Sequence, residues 1–150
     1  QQARERLDRA LSAVPSDFRV ALVLKDIADF SLREVADILD VPSATAKTRV
    51  HRGRLHLRRA LLQEGVVDPL PRLEVVSRVC MDLLRAKLDA MDRGVPFPFP
   101  HQEVCDRCAS LFQSLDLAGT ACRSLRTGDI PPDLRERLTV LLDDEVPSSP

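Results

Sequence analysis

The chain has 150 residues, of which 44% are hydrophobic and 30% are charged, and its formal net charge is −1. Trp and Tyr are absent, so the core must be aliphatic, a composition that favours helices over sheets. Four cysteines are too few for a disulfide-stapled secreted domain, and no apolar run approaches the roughly 18 residues of a membrane span. We therefore expect a cytoplasmic chain with no membrane contact. Because Gln1 replaces the usual Met, we also expect a fragment of a longer protein.

Charge is distributed unevenly along this near-neutral chain. Residues 1–65 contain 12 Lys and Arg against 9 Asp and Glu, whereas residues 66–150 contain 10 against 14. Residues 41–60 carry six basic side chains and no acidic one. A basic stripe of this kind predicts an anionic partner, and a merely solvated helix face is the alternative interpretation.

The first half shows only helical patterns. "RERLDRALSAV" has apolar residues at helical spacing and ends at Pro15, and "DFRVALVLKDIADF" is apolar on most sides, as in a central core helix. Ser31 and Glu34 have the spacing of a capping box that opens a short helix. Pro42 then breaks the chain before a basic helix that runs from about Ala44 to Gln63. A short helix, a tight turn and a longer basic helix predict a helix-turn-helix.

The second half also has no strand pattern. "VVDPLP" predicts a short linker, and helices are expected over about 72–92 and 101–118. "PDLRERLTVLLDD" predicts a last amphipathic helix, which we expect to pack in the core, before the disordered-looking tail "EVPSSP". The chain as a whole is predicted to be all-α.

The basic helix supplies candidate DNA contacts, because the second helix of a helix-turn-helix enters the major groove. Arg and Lys can contact guanine or phosphate, and Ser and Thr can contact either bases or phosphate. The candidates that we expect to be exposed are Ser43, Thr45, Lys47, Thr48, Arg49, His51, Arg52 and Arg54.

"FSLREVADIL" and "PSATAKTRVHRGRLHL" follow each other in an order and spacing that resemble region 4 of a sigma factor of the extracytoplasmic-function (ECF) type. The resemblance covers about residues 3–63. It implies four short helices that recognise the promoter −35 element as part of RNA polymerase, with Lys47, Thr48 and Arg52 as the first choices for DNA contact. Region 2 of such a factor would precede Gln1. Gly53 stands where Ala is usual, which suggests a locally softer helix.

"HQEVCDRC" places His101, Cys105 and Cys108 at spacings that share one face of a helix. Structural zinc requires four nitrogen or sulfur ligands, so a fourth ligand must come from elsewhere. Cys80 on the preceding helix is the candidate, whereas Cys122 is four turns further on and is expected to be a buried or free thiol.

This arrangement is similar to the zinc-binding anti-sigma domain, a small helical bundle with an H-x3-C-x2-C motif and an upstream ligand. The resemblance covers about residues 73–140 and implies one zinc per chain, held by Cys80, His101, Cys105 and Cys108. The predicted organisation is therefore region 4 over 1–65, a linker over 66–72, a zinc-binding anti-sigma-like domain over 73–144 and a disordered tail over 145–150.

Together the two resemblances predict a sigma factor with a regulator fused to it. Its partners would be promoter DNA and the RNA polymerase core, and an intramolecular contact would let the zinc domain mask region 4 until a metal or redox signal. Two alternatives are a purely structural zinc domain and a metal-dependent activator. The cysteines could also be a redox pair or plain core residues. We expect no enzyme, because no phosphate loop, paired nucleophile or open metal motif is found.

Overall fold

The structure is a computed structural model that describes residues 2–71, 78–99 and 104–144, with side chains described up to residue 139. These residues form helices and no strand, which confirms the all-α prediction. None of these helices is long and apolar enough to cross a membrane. The seven α-helices are α1 (Gln2–Ser12), α2 (Ser16–Leu22), α3 (Leu32–Leu39), α4 (Ser43–Gln63), α5 (Arg78–Arg93), α6 (Asp106–Thr127) and α7 (Pro132–Asp144).

Helices α3 and α4 form the predicted helix-turn-helix. The Ser31 hydroxyl accepts a hydrogen bond from the Glu34 amide, and the Glu34 carboxylate accepts one from the Ser31 amide, so the predicted capping box is confirmed. Asp40 ends α3 in the left-handed conformation with φ of 54°. A small apolar core then fixes α4 against α2 and α3; it contains Ala21, Val35, Ala36, Ala46 and Val50.

A larger core joins the two halves of the chain. It combines side chains of α1, α2 and α4 with Ala118 and Ala121 of α6 and with Leu134 and Leu138 of α7. The last helix thus packs in the core, as expected. Val66 and Val67 of the predicted linker, defined as residues 66–72, are buried in the same core. The division into two domains stays a prediction, but its two parts are packed together in the structure.

A buried arginine also ties the two ends of the chain together. The Arg6 guanidinium on α1 donates one hydrogen bond to the Leu138 carbonyl oxygen of α7 and another to the Glu64 carbonyl oxygen, each at 2.8 Å. Because charge-assisted hydrogen bonds are among the stronger polar contacts in a fold, Arg6 helps to hold α7 against α1 and the end of α4.

Two helix boundaries differ from the predictions. The core helix "DFRVALVLKDIADF" is α2 followed by a π-helical turn over Val23–Ile27, in which the Ala28 amide donates to the Val23 carbonyl. The helix expected to start near 101 begins at Asp106, whose carboxylate suits a helix N-terminus. Cys105 precedes it with extended backbone, so the prediction that the metal ligands share one helix face is wrong for Cys105. His101 and the tail 145–150 lie outside the described residues.

Gly53 is explained by packing. A Cβ atom at this position would lie 2.8 Å from the Phe18 carbonyl oxygen and 2.9 Å from the Leu22 Cβ. Both distances are shorter than real carbon contacts allow. The glycine therefore lets α4 approach α2 closely, and the expectation of a locally softer helix stays a prediction.

Candidate functional site

The residues predicted to contact DNA line the first half of α4, but they do not share one environment. Ser43, Lys47, Thr48 and Arg52 are exposed, whereas Thr45, Arg49 and His51 are partly buried. The Thr48 hydroxyl donates a hydrogen bond to the Ala44 carbonyl, and the Arg52 guanidinium lies 5.8 Å from the centre of the Phe18 ring. Seven of the eight candidates are thus at least partly accessible.

Arg54 is the exception, because its side chain is 2% exposed. Its Nε and Nη2 atoms donate to the two carboxylate oxygens of Asp26 at 2.8 and 2.9 Å, and its Nη1 donates to Asp92 at 2.6 Å. Burial opposes the charge, but these two carboxylates outweigh it and raise the pKa of Arg54. The prediction that Arg54 is exposed is wrong because two buried acids, distant in sequence, bind its guanidinium.

Helix α5 lies against the first half of α4 through two acidic side chains, Asp89 and Asp92, which we call the acidic face of α5. Lys47 Nζ is 2.8 Å from Asp89 Oδ1, an ion pair that lacks hydrogen-bond geometry. His51 Nε2 is 2.6 Å from Asp92 Oδ2, while the other oxygen of Asp92 binds Arg54. The acidic face thus contacts three of the eight residues predicted to bind DNA.

Asp92 is the central acid of this contact. Its side chain is only 6% exposed, so burial alone would raise its pKa. The hydrogen bond with His51 and the positive charge of Arg54 outweigh burial and hold the pKa of Asp92 below its ordinary value. The charged state of the Asp92 carboxylate is therefore supported by His51 and Arg54 of α4.

Sequence reasoning did not single out Asp89 and Asp92. Their spacing of three places them on one face of a helix, opposite a basic stripe, and this was the available signal. It is a weak signal, because acidic pairs are common on exposed helix surfaces. Only the packing of α5 on α4 distinguishes this pair.

Three of the four predicted metal ligands meet in the structure. Cys80, near the start of α5, lies with Cys105 and Cys108 at the start of α6, and the sulfur atoms are within 4.8 Å of one another. Thiolates bound to one zinc ion at about 2.3 Å lie about 3.8 Å apart in a tetrahedron, so this thiol cluster fits zinc with a small contraction. The predicted fourth ligand, His101, lies outside the described residues.

The environment of the thiol cluster connects it to α4. Cys80 and Cys108 pack in an apolar cluster with Leu88 of α5, Phe112 of α6 and Leu55 of α4. Burial, followed by hydrogen bonds and charge interactions with the other two cysteines, raises the pKa of the Cys108 thiol to about 12. The Cys108 thiol thus resists ionisation, and a bound cation would reverse this preference by stabilising its thiolate.

Cys122 lies apart from the thiol cluster. It is 1% exposed in the larger core, and burial raises the pKa of its thiol to about 12. Among the described residues it belongs to no group that could hold a metal. Its environment is that of a buried core thiol.

Comparison with known proteins finds relatives of the first half of the chain. Residues 4–57 match the family model described as "Sigma-70, region 4". The chain is 42% identical over 55 residues to ECF RNA polymerase sigma factor SigW of Bacillus subtilis, covering 37% of this chain and 29% of that protein. It is 44% identical over 59 residues to ECF RNA polymerase sigma factor SigE of Mycolicibacterium smegmatis, covering 39% and 23%. No solved structure matches the chain.

These matches confirm the region 4 part of the resemblance. Residues 4–57 are therefore similar to region 4 of sigma factors of the ECF type, and the helix-turn-helix within them lies in α3 and α4. The chain spans less than a third of the length of these curated relatives. The resemblance of the second half to a zinc-binding anti-sigma domain stays a prediction.

Proposed function

We propose that this chain is part of an ECF sigma factor whose region 4 binds the promoter −35 element within RNA polymerase, and whose second half masks region 4 in cis. The observation that carries the proposal is the acidic face of α5. Asp89 pairs with Lys47 and Asp92 contacts His51, both on the helix that is expected to enter the major groove. Asp92 also binds the buried Arg54 of the same helix.

Charge and shape both support the proposed masking. Affinity for DNA depends strongly on how many cations are free to neutralise phosphates, and Lys47 is paired with Asp89. A 16-residue helix beside α4 would also bring carboxylates towards the phosphate backbone. Ser43, Thr48 and Arg52 stay exposed, so part of the proposed DNA-binding face remains accessible to DNA. Full engagement requires α5 to move away.

A metal at the thiol cluster would hold this arrangement. We propose one zinc ion per chain, bound by Cys80, Cys105, Cys108 and His101. Zinc would link the start of α5 to the start of α6 and contribute folding free energy on the order of 10 kcal/mol. Cys80 and the acidic face lie on the same helix, so a link at its start restricts where Asp89 and Asp92 can go. Oxidation of the thiolates or withdrawal of the metal would be the signal that frees α5.

Two other roles of the second half would use the same thiols. A purely structural zinc domain would stabilise the fold without changing DNA binding, and a metal-dependent activator would strengthen it. The position of α5 favours masking over both, because neither alternative requires carboxylates to contact Lys47 and His51 on the helix that is expected to bind DNA.

Charge reversal at Asp89 tests the mask. A duplex would first be selected from a random-sequence pool with the Asp89→Lys chain, and its affinity for both chains would then be measured by fluorescence anisotropy. We expect Asp89→Lys to bind about fivefold to tenfold more tightly, because repulsion from Lys47 displaces α5. The matched control is Glu136→Lys, an exposed acid on α7, which makes the same change in net charge. Equal affinities of the Asp89→Lys and Glu136→Lys chains would contradict masking.

Metal content separates the three roles of the second half. Protein purified without added metal should contain about one zinc per chain, and Cys105→Ser should lose it. Removing the metal with a chelator should raise affinity for the selected duplex if the metal maintains a mask. Lower affinity would indicate an activator, and unchanged affinity with lower thermal stability would indicate a structural site.

A further inference from the structure

An open cavity of about 780 Å³ lies between the two halves of the chain. Its walls are the π-helical turn of region 4, the end of α5 with the loop that follows it, and the middle of α6. This volume is within the range of sites that bind small molecules. The cavity is distinct from the thiol cluster, since none of the three cysteines lines it.

The charges around the cavity do not balance. Its lining contains six basic and four acidic side chains. All four acids are paired with lining cations: Asp26 and Asp92 with Arg54, Asp116 with Lys87, and Asp29 with Arg126. Three cations are therefore left without a carboxylate partner among the residues that the structure describes, namely Lys25, Arg93 and Arg123. They come from three different elements and line one cavity.

The rest of the lining offers an aromatic and apolar wall. The Phe97 ring, in the loop after α5, packs on the Phe112 ring of α6 with their centres 4.9 Å apart. Met91 of α5 lies beside them in the lining, and Gly119 of α6 leaves the wall there without a side chain. Flat rings and a thioether suit a planar apolar group, while the three cations that lack a carboxylate partner in the described part of the chain suit an anion.

We infer that this cavity binds a small ligand in which an anionic group, such as a phosphate or carboxylate, is joined to a flat aromatic ring. The anion would lie among Lys25, Arg93 and Arg123, and the ring would lie against Phe97 and Phe112. A nucleotide and an aromatic carboxylic acid both have this chemistry.

The position of the cavity implies a regulatory effect, which rests on the proposed masking of region 4. Lys25 belongs to region 4, whereas Arg93 and Arg123 belong to α5 and α6. A ligand that contacts all three binds only when the halves are packed together, so it stabilises the masked arrangement. Asp92, which holds His51 and Arg54, lies in the same wall.

The binding test uses 8-anilino-1-naphthalenesulfonate as a fluorescent probe, because it combines an anion with flat rings. We expect saturable binding of one probe per chain. Arg123→Glu and Lys25→Glu, on two different elements, should each weaken binding at least tenfold. The matched control is Arg33→Glu on α3, an exposed arginine away from the cavity that makes the same charge change. Circular dichroism would verify that each variant keeps its helices.

Competition then identifies the source of the ligand. Displacement of the probe by ATP supports a nucleotide, and displacement by indole-3-acetate supports an aromatic carboxylic acid. Displacement by neither overturns the proposed ligand class. Binding without saturation, or equal loss in Arg33→Glu and Arg123→Glu, overturns the site itself.

The regulatory effect has a separate readout. Saturating probe should weaken binding of the selected duplex to the parent chain at least threefold and leave the Arg123→Glu chain unchanged. Saturable probe binding with unchanged duplex affinity would overturn the regulatory effect while leaving the ligand site. If Asp89→Lys also failed to raise duplex affinity, the masking proposal itself would be the part that failed.

Discussion

The two halves of α4 are covered by the second half of the chain in different ways. The front half, residues 43–52, meets α5 through Lys47 and His51, which contact carboxylates. The rear half, residues 53–63, meets α6 through a core that contains apolar side chains such as Leu57 and Leu61, and Arg54 marks the border between the two halves of α4. Charged contacts can be exchanged for phosphates, whereas buried apolar contacts have no equivalent partner on DNA.

The free energies of the contacts in the two halves of α4 also differ. The Lys47 and Asp89 side chains are 46% and 35% exposed, so their pairing is worth at most about 1 kcal/mol. Burial of one leucine side chain contributes about 2 to 3 kcal/mol. The rear half therefore holds the second half of the chain to region 4 continuously, and the front half is suited to open and close.

The largest loss of stability is expected from a substitution in the rear half of α4. Leu61→Ala should lower the free energy of unfolding by about 3 kcal/mol, because Leu61 is fully buried in the core shared by both halves. Urea denaturation followed by circular dichroism measures it. Ile38→Ala on α3, where the side chain is 53% exposed, should change stability by less than about 0.5 kcal/mol. A small effect of Leu61→Ala would contradict a shared core.

A smaller loss of stability is expected from a substitution at Asp92, which binds Arg54 at the border between the two halves of α4. Asp92→Asn should cost about 2 kcal/mol, because it removes a buried carboxylate from Arg54, which keeps Asp26 as a partner. Since the folded state lowers the pKa of Asp92, its contribution is complete above the ordinary carboxyl pKa and is lost as pH falls through the folded value. The parent and Asp92→Asn chains should therefore converge in stability below about pH 4. Parallel pH profiles would contradict this role.

Two glycine substitutions should change the free energy of unfolding in opposite directions. Gly53→Ala should destabilise the fold by about 1 to 2 kcal/mol, because the new methyl group overlaps the Phe18 carbonyl and Leu22. Gly119→Ala should instead stabilise α6 by about 0.5 to 1 kcal/mol, since its nearest contact, Met91 Cε, would be at an ordinary 3.5 Å. Thermal unfolding of both variants measures the difference. A gain at both positions would show that α2 and α4 do not approach so closely.

The smallest loss of stability is expected from a substitution that removes a contact of the front half of α4. Asp89→Asn should lower the free energy of unfolding by less than about 1 kcal/mol, because the ion pair with Lys47 is partly exposed. The difference should disappear in 1 M NaCl, where the screening length is about 3 Å. A loss as large as that of Leu61→Ala, or one insensitive to salt, would mean that the front half is not a replaceable contact.

Local patterns were sufficient to predict much of this molecule. The capping box of Ser31 and Glu34 depends on two residues three apart, and the basic helix is bounded by Pro42 and Gly65, so both could be predicted from neighbouring residues. In each case the physical cause lies in the residue types and their spacing.

Features created by packing could not be predicted in this way. Arg54 is buried because Asp26 and Asp92, 28 and 38 residues away, converge on it. Gly53 permits a close approach to α2 that helix propensity does not reveal. The burial of Val66 and Val67 similarly depends on α1 and α7, and a proline-containing segment between two helices resembles a linker until its neighbours are known.

Amide hydrogen exchange with and without DNA tests the central claim most directly, namely that α5 is displaced from the front half of α4 when DNA binds. The full metal-loaded chain would be measured alone and saturated with the selected duplex. We expect amides of α5 to lose protection in the complex, while those of α6 and the rear half of α4 keep theirs. Unchanged or increased protection of α5 in the DNA complex would contradict masking by this helix.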